Sequence, residues 1–262
     1  MDAEETAAGR IDTQYNLFGT NMNQITIKKT LLYIFTPTAI LSLSYLILGY
    51  FAKMPYILLF CLLGTVTLVP IELGFIFFAS KKEYGSYSIK SAMSGQGKVS
   101  VWKTLLIAFL FFSIAGLLSA FIAPIENKLL EPVRSALLSR LPIGFDWQNI
   151  DYVKSFPTPV IVITCIYYGL FNVIIGPVTE ELFFRGYLTS HFRIQNSFTP
   201  ILIAILFSLY HFWLPFNNIF RILAFAPVAY VAYKKKNIYI SMCFHCFCNL
   251  FSVIGFVLEV VR

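Results

Sequence analysis

Three short stretches set ionisable side chains in apolar surroundings. "EELFFR" carries Glu180, Glu181 and Arg185. "FSLYH" runs from Phe207 to His211, and "HCFCN" spaces His245 and Asn249 four residues apart. A charge at a bilayer centre costs about 2.5–3.5 kcal/mol on insertion scales, so such residues are kept for a function and need partners. Four-residue spacing puts Glu181 and Arg185 on one helix face, where they can form an ion pair. Glu180 lies about 100° round the helix and has no local partner. A buried carboxylate of that kind suits a general base. His211 shares a face with Phe207, and His245 shares one with Asn249. Glu180, His211, His245 and Asn249 could therefore line one cavity open to one side. The third histidine, His191 in "TSHFRIQN", lies in a polar connection and is expected to be solvated.

The elements that must carry these residues are membrane helices. The 262 residues are 58% hydrophobic and 13% charged, with a mean hydropathy of +0.73. Soluble domains carry nearer 25% charged residues. The composition is that of a multi-pass integral membrane protein, and the net charge of +7 needs no nucleic acid to explain it. "YKKKN" (233–237) suits anionic lipid head groups. The five cysteines lie in apolar runs and read as free thiols. Apolar segments near 30–51, 55–79, 102–123, 158–176, 178–190, 198–214, 217–233 and 237–260 predict an all-α polytopic bundle of about eight transmembrane helices. Gly176 and Pro177 separate the fourth from the fifth. Residues 80–101 read as a solvent loop, and Glu126 to Leu141 as an interfacial amphipathic helix. A single membrane domain follows: a polar tail over 1–29 with no signal peptide, helices and loops over 30–157, and the motif-bearing helices over 158–260. The count of eight places Glu180 and His211 near one membrane surface, with His245 and Asn249 deeper. It also divides Lys and Arg almost evenly between the two faces, so charge alone does not set the orientation. Glu72, in "LVPIELGF", is expected to line the cavity or to pair with Lys81 or Lys82.

In this order and in successive apolar segments, the three stretches match EExxxR, FxxxH and HxxxN. Residues 158–252 thereby resemble the CAAX protease and bacteriocin-processing (ABI) family. The resemblance implies an intramembrane endopeptidase of about eight helices. It implies that Glu180 and His211 activate water, that His245 and Asn249 stabilise the oxyanion, and that Glu181 and Arg185, with Phe207, are structural support. Peptide hydrolysis by water needs a base, a proton donor for the leaving amine and oxyanion donors, and these residue types supply them without a Ser or Cys nucleophile. No cofactor is implied. Two alternatives stay open: a zinc enzyme with Glu180, His211 and His245 as ligands, although HExxH is lacking, and a non-catalytic scaffold or bacteriocin-immunity protein. The expected partners are membrane lipid and a peptide or protein substrate, prenylated or of bacteriocin type. The "EELFFRGYL" form points to a bacterial cell membrane. The resemblance favours a site open to the cytoplasm; with eight helices, both chain ends would lie on that side.

Overall fold

The computed structural model describes residues 24–97 and 100–262. Of the expected tail, residues 1–23 lie outside the described residues. The bundle is built from α1 (Ile27–Gly49), α2 (Tyr56–Tyr84), α3 (Val101–Leu138), α4 (Thr158–His191), α5 (Thr199–Leu209), α6 (Asn218–Lys234) and α7 (Tyr239–Val261). Five of them, all but α5 and α6, are long and apolar enough to cross a membrane. Among the described residues the only β pairing is an isolated bridge between Ile25 and Phe192. The protein is an all-α polytopic membrane bundle, with five long apolar helices and the shorter α5 and α6 among the described residues where eight spans were expected.

The count differs because 158–176 and 178–190 are one helix, α4. Pro177 has no N–H to offer the carbonyl of Val173, and its ring crowds that carbonyl. Residues Phe171–Ile175 absorb the misfit by widening into π turns, and the helix continues. A second wide segment, Leu182–Leu188, follows Glu181. The interfacial helix is also not separate, since Glu126 to Leu138 are the last turns of α3. The loop expected over 80–101 is largely structured. Helix α2 continues to Tyr84, and Lys90–Met93 forms a short helix with Ser91 and Ala92 buried. Ser91 is fixed by Ser80 Oγ at 2.9 Å and by the Ile76 carbonyl at 2.9 Å.

Helix α5 ends at Leu209, short of the expected 214. Eleven residues rise about 16 Å, roughly half of a hydrocarbon core about 30 Å thick. Its end is therefore left at mid-depth, and irregular backbone at that depth must be satisfied inside the protein. Thr38 Oγ1 donates to the Tyr210 carbonyl. Arg221 donates to the carbonyls of Ser208 at 3.2 Å and Leu214 at 3.4 Å. Glu126 accepts from the Ile219 and Phe220 amides at 2.9 and 3.0 Å, where its charge also suits the positive end of α6.

The ends of the bundle can be told apart by their contacts. At the end holding Ile25, termed proximal, Ile25 N–H donates to the His191 carbonyl at 2.7 Å and Gly97 N–H to the Lys236 carbonyl at 2.6 Å. Ile238 N–H donates to Gln96 at 2.8 Å. His191 is buried there against Glu83, 2.9 Å away, rather than solvated. At the distal end, the segment after α3 turns back over the bundle: Trp147 Nε1 donates to Tyr45 at 2.7 Å, and Tyr152 packs on Tyr56. Helix α7 starts proximal and ends distal. Residues 25 and 262 therefore lie at opposite ends, not on one side as the count of eight implied.

Gly186 is where α4 meets the Lys90–Met93 helix: a Cβ there would lie 2.7 Å from the Ala92 carbonyl oxygen. Gly186→Val is expected to cost about 1–3 kcal/mol, the usual range for overpacking, and to lower the thermal unfolding midpoint in detergent. An unchanged midpoint would show that this connection is not docked against α4.

Candidate active site

The two wide stretches of α4 bracket Glu180 and Glu181 and turn both inward; they are 7% and 0% exposed. Glu181 Oε1 lies 3.2 Å from Arg185 Nη1 and 3.1 Å from His245 Nδ1. The guanidinium stacks over Phe207, 4.2 Å from the ring centroid, with Phe225 at 5.3 Å. A cation over an aromatic face is stabilised by the ring quadrupole, more so where water is excluded. Phe207 also meets His211 edge-on at 4.9 Å and His245 at 5.6 Å.

Hydrogen-bond partners orient both imidazoles. His211 Nδ1 lies 2.8 Å from the Phe207 carbonyl. A carbonyl only accepts, so Nδ1 carries the proton and Nε2 of the neutral ring is an acceptor. His245 turns Nδ1 to Glu181 and Nε2 to Glu180, whose Oε2 is 3.7 Å away. Asn249 donates one amide N–H to the Asn172 carbonyl at 2.7 Å. That carbonyl lies in the first wide stretch of α4, where the regular hydrogen-bond ladder is interrupted. The second amide hydrogen of Asn249 is not used in that bond.

Glu180, His211, His245 and Asn249 all line one cavity of about 780 Å³, together with Phe207 and Arg221. The cavity runs from these residues to Ile150 and Glu259 at the distal end. Their depths differ from those expected. His211 hangs from the end of the half-length α5, and Glu180 sits about eleven residues from the proximal end of α4. By helical rise both are about 16–18 Å inside that end. His245 meets them at the same level from α7, its ring nitrogens 3.7 Å from Glu180 and 3.1 Å from Glu181.

Three participants had no sequence motif of their own. Tyr210, fully buried beside His211, donates its hydroxyl to Glu72 at 2.8 Å and has Glu180 Oε1 at 3.5 Å. Glu72 is 0% exposed; it neither lines the cavity nor reaches a lysine, and Lys81 instead donates to the Gly85 carbonyl. Arg221 puts a buried cation on the cavity wall that Glu180 also lines. A lone Glu72 in an apolar run was the available signal; Tyr210 and Arg221 look like ordinary membrane-helix residues.

Residues 162–251 match a family model described as type II CAAX prenyl endopeptidase Rce1-like. Over that segment the chain is similar to the CAAX endopeptidase family. The matched stretch contains all of the EELFFR, FSLYH and HCFCN residues, and the family is one of proteases. No curated protein and no solved structure matches the chain. Helices α1 to α3, which contribute Thr38, Glu72 and Glu126, lie outside the match.

Removing one partner of a buried ion pair leaves a stranded charge. Arg185→Ala is therefore expected to destabilise the fold by about 3–5 kcal/mol, seen as lost folded yield on size-exclusion chromatography. Tyr210→Phe leaves Glu72 without its donor and should cost about 1–3 kcal/mol. Combining it with Glu72→Leu should recover most of that loss, because replacing both partners by apolar groups can be nearly neutral. Additive losses in the thermal unfolding midpoint would show that the two side chains do not interact.

Proposed function

We propose that the protein is an intramembrane endopeptidase that hydrolyses a peptide bond with water activated by Glu180 and His211. The observation that carries this reading is the convergence of Glu180, His211, His245 and Asn249 on one cavity at mid-depth. Water held between the Glu180 carboxylate and His211 Nε2 has two acceptors for its protons. It attacks the peptide carbonyl as Glu180 takes one proton. The developing oxyanion is met by the free amide hydrogen of Asn249 and by His245. With its Nδ1–H committed to Glu181, His245 can donate only from Nε2, in the protonated ring. The leaving amine collects the proton carried by Glu180 or His211. Glu181, Arg185 and Phe207 hold His245 and the α4–α5 contact in register. The cavity can take an extended peptide segment, and its apolar walls suit a lipid-modified or otherwise hydrophobic peptide.

We further propose that no metal takes part. Among the described residues, no three His, Cys, Asp or Glu side chains are arranged to hold a metal ion. Glu180, His211 and His245 share the cavity, but His245 turns each ring nitrogen toward a glutamate.

Glu180→Gln and His211→Ala are expected to abolish cleavage of a membrane peptide substrate while leaving folded yield unchanged. Asn249→Ala should lower turnover per folded molecule by about two to three orders of magnitude, the usual effect of deleting an oxyanion donor. Substrate peptides can be found by comparing membrane proteomes of cells carrying the wild type and Glu180→Gln. Full activity of Glu180→Gln would refute the water-activation role. Stoichiometric zinc in purified active protein, lost together with activity in His211→Ala, would move the enzyme to the metal class.

A further inference from the structure

Two carboxyl groups from different helices meet one phenol. Tyr210 donates its hydroxyl to Glu72 Oε1 at 2.8 Å, and Glu180 Oε1 lies 3.5 Å from the same oxygen. Glu72 comes from α2, Glu180 from α4, and Tyr210 is the residue that closes α5. Glu72 is fully buried, and its second oxygen, Oε2, has no hydrogen-bond partner. A carboxyl satisfied on one side only costs stability inside a membrane span, where a leucine would not. Such a group calls for a reason other than packing.

The phenol is held from all sides. The Tyr210 carbonyl accepts from Thr38 Oγ1. Its ring lies edge-on to Phe184 at 5.0 Å and to Trp213 at 5.3 Å, and stacks on Phe207 at 6.3 Å. The hydroxyl hydrogen can still turn, and a hydroxyl has one hydrogen and two lone pairs. Turned to Glu72, it leaves a lone pair facing Glu180, which can accept a hydrogen bond once Glu180 carries the proton taken from water. Turned to Glu180, it meets the ionised base before that proton arrives. Either way Glu180 has a partner at Oε1, while His245 Nε2 stands 3.7 Å from Oε2. The 3.5 Å contact is longer than an ordinary O–H···O bond, and a shift of about 0.5 Å in the Glu180 side chain closes it. Neither Tyr210 nor Glu72 lines the cavity, so neither touches a peptide held there.

We propose that Tyr210 is a positioning residue for Glu180, and that Glu72 holds the Tyr210 hydroxyl in place from the far side. The hydroxyl donates to the base in one state and accepts from it in the other, and no proton passes on to Glu72. Glu72 lies outside residues 162–251, so a helix beyond the matched segment aligns the base within it. The effect on turnover rests on the peptidase reading; the contact between Tyr210 and Glu180 does not.

Turnover per folded molecule is measured on full-length variants in detergent, with a peptide that the wild type cleaves and Glu180→Gln does not. Tyr210→Phe should lower kcat by about ten- to a hundred-fold, the scale of a misplaced catalytic group, with KM nearly unchanged. Glu72→Leu keeps the hydroxyl and should lose less turnover than Tyr210→Phe. The double variant Tyr210→Phe/Glu72→Leu should recover its thermal midpoint yet stay as slow as Tyr210→Phe. Full kcat in Tyr210→Phe overturns the proposal. So does a double variant that regains turnover together with its midpoint, because a packing role moves rate and stability together. A double-mutant cycle of Tyr210→Phe with Glu180→Gln, read in the thermal midpoint, needs no catalysis. Non-additive shifts are expected for side chains in contact; additive shifts would show that the hydroxyl serves Glu72 alone and sink the proposal. If the cycle shows coupling but the wild type cleaves nothing, the contact stands and the peptidase reading falls.

Discussion

Glu181 has almost no access to water and two partners at once, Arg185 one turn along its own helix and His245 across the bundle. Much of the architecture follows from keeping that carboxylate compensated. Arg185 requires flat aromatic faces to lie against, which fixes Phe207 of α5 and Phe225 of α6 beside α4. His245 requires α7 to pass at the same level. One buried ionic contact therefore sets the mutual positions of four helices. It also leaves the second nitrogen of His245 turned toward Glu180, the carboxylate that faces the cavity. Breaking such a contact is costly because an isolated charge in this surrounding has no solvent to fall back on.

The second constraint is the unfinished helix. Helix α5 stops at Leu209, and His211, Trp213 and Leu214 beyond its end line the cavity. Stopping at Leu209 puts His211 at mid-depth and frees backbone groups that hydrocarbon would not tolerate. Thr38, Glu126 and Arg221 come from α1, α3 and α6 to satisfy them. Helices outside the family-matched segment thus complete a site whose reactive side chains all lie within it. The wide stretches of α4 do related work at the other wall. The first absorbs Pro177 and exposes the Asn172 carbonyl, which anchors Asn249.

Much of this was readable from residue order. Helix-period spacing paired Glu181 with Arg185, His211 with Phe207 and His245 with Asn249, because contacts within one helix depend only on rise and rotation per residue. Hydropathy located the membrane segments, because burial in lipid is a property averaged over some twenty residues. The merging of two segments into α4 was not readable, since Pro and Gly stop most helices and only the surrounding packing decides whether a wide turn can absorb them. The early end of α5 was hidden as well, for the apolar run continues through "HFWLP" beyond its last turn.

The sequence by itself determined the membrane class, the three motifs and the pairs within each helix. All of these are local, set by composition or by spacing within a few turns. Only the tertiary structure decided what lies between helices. Tyr210 bridges Glu72 toward Glu180, Glu126 caps α6 from ninety-three residues away, and the 234–236 run sits beside residues 96 and 97. Each of these depends on which helix ends share a face of the membrane. That depends on the parity of the helix count, which a single proline absorbed by a wide turn is enough to change.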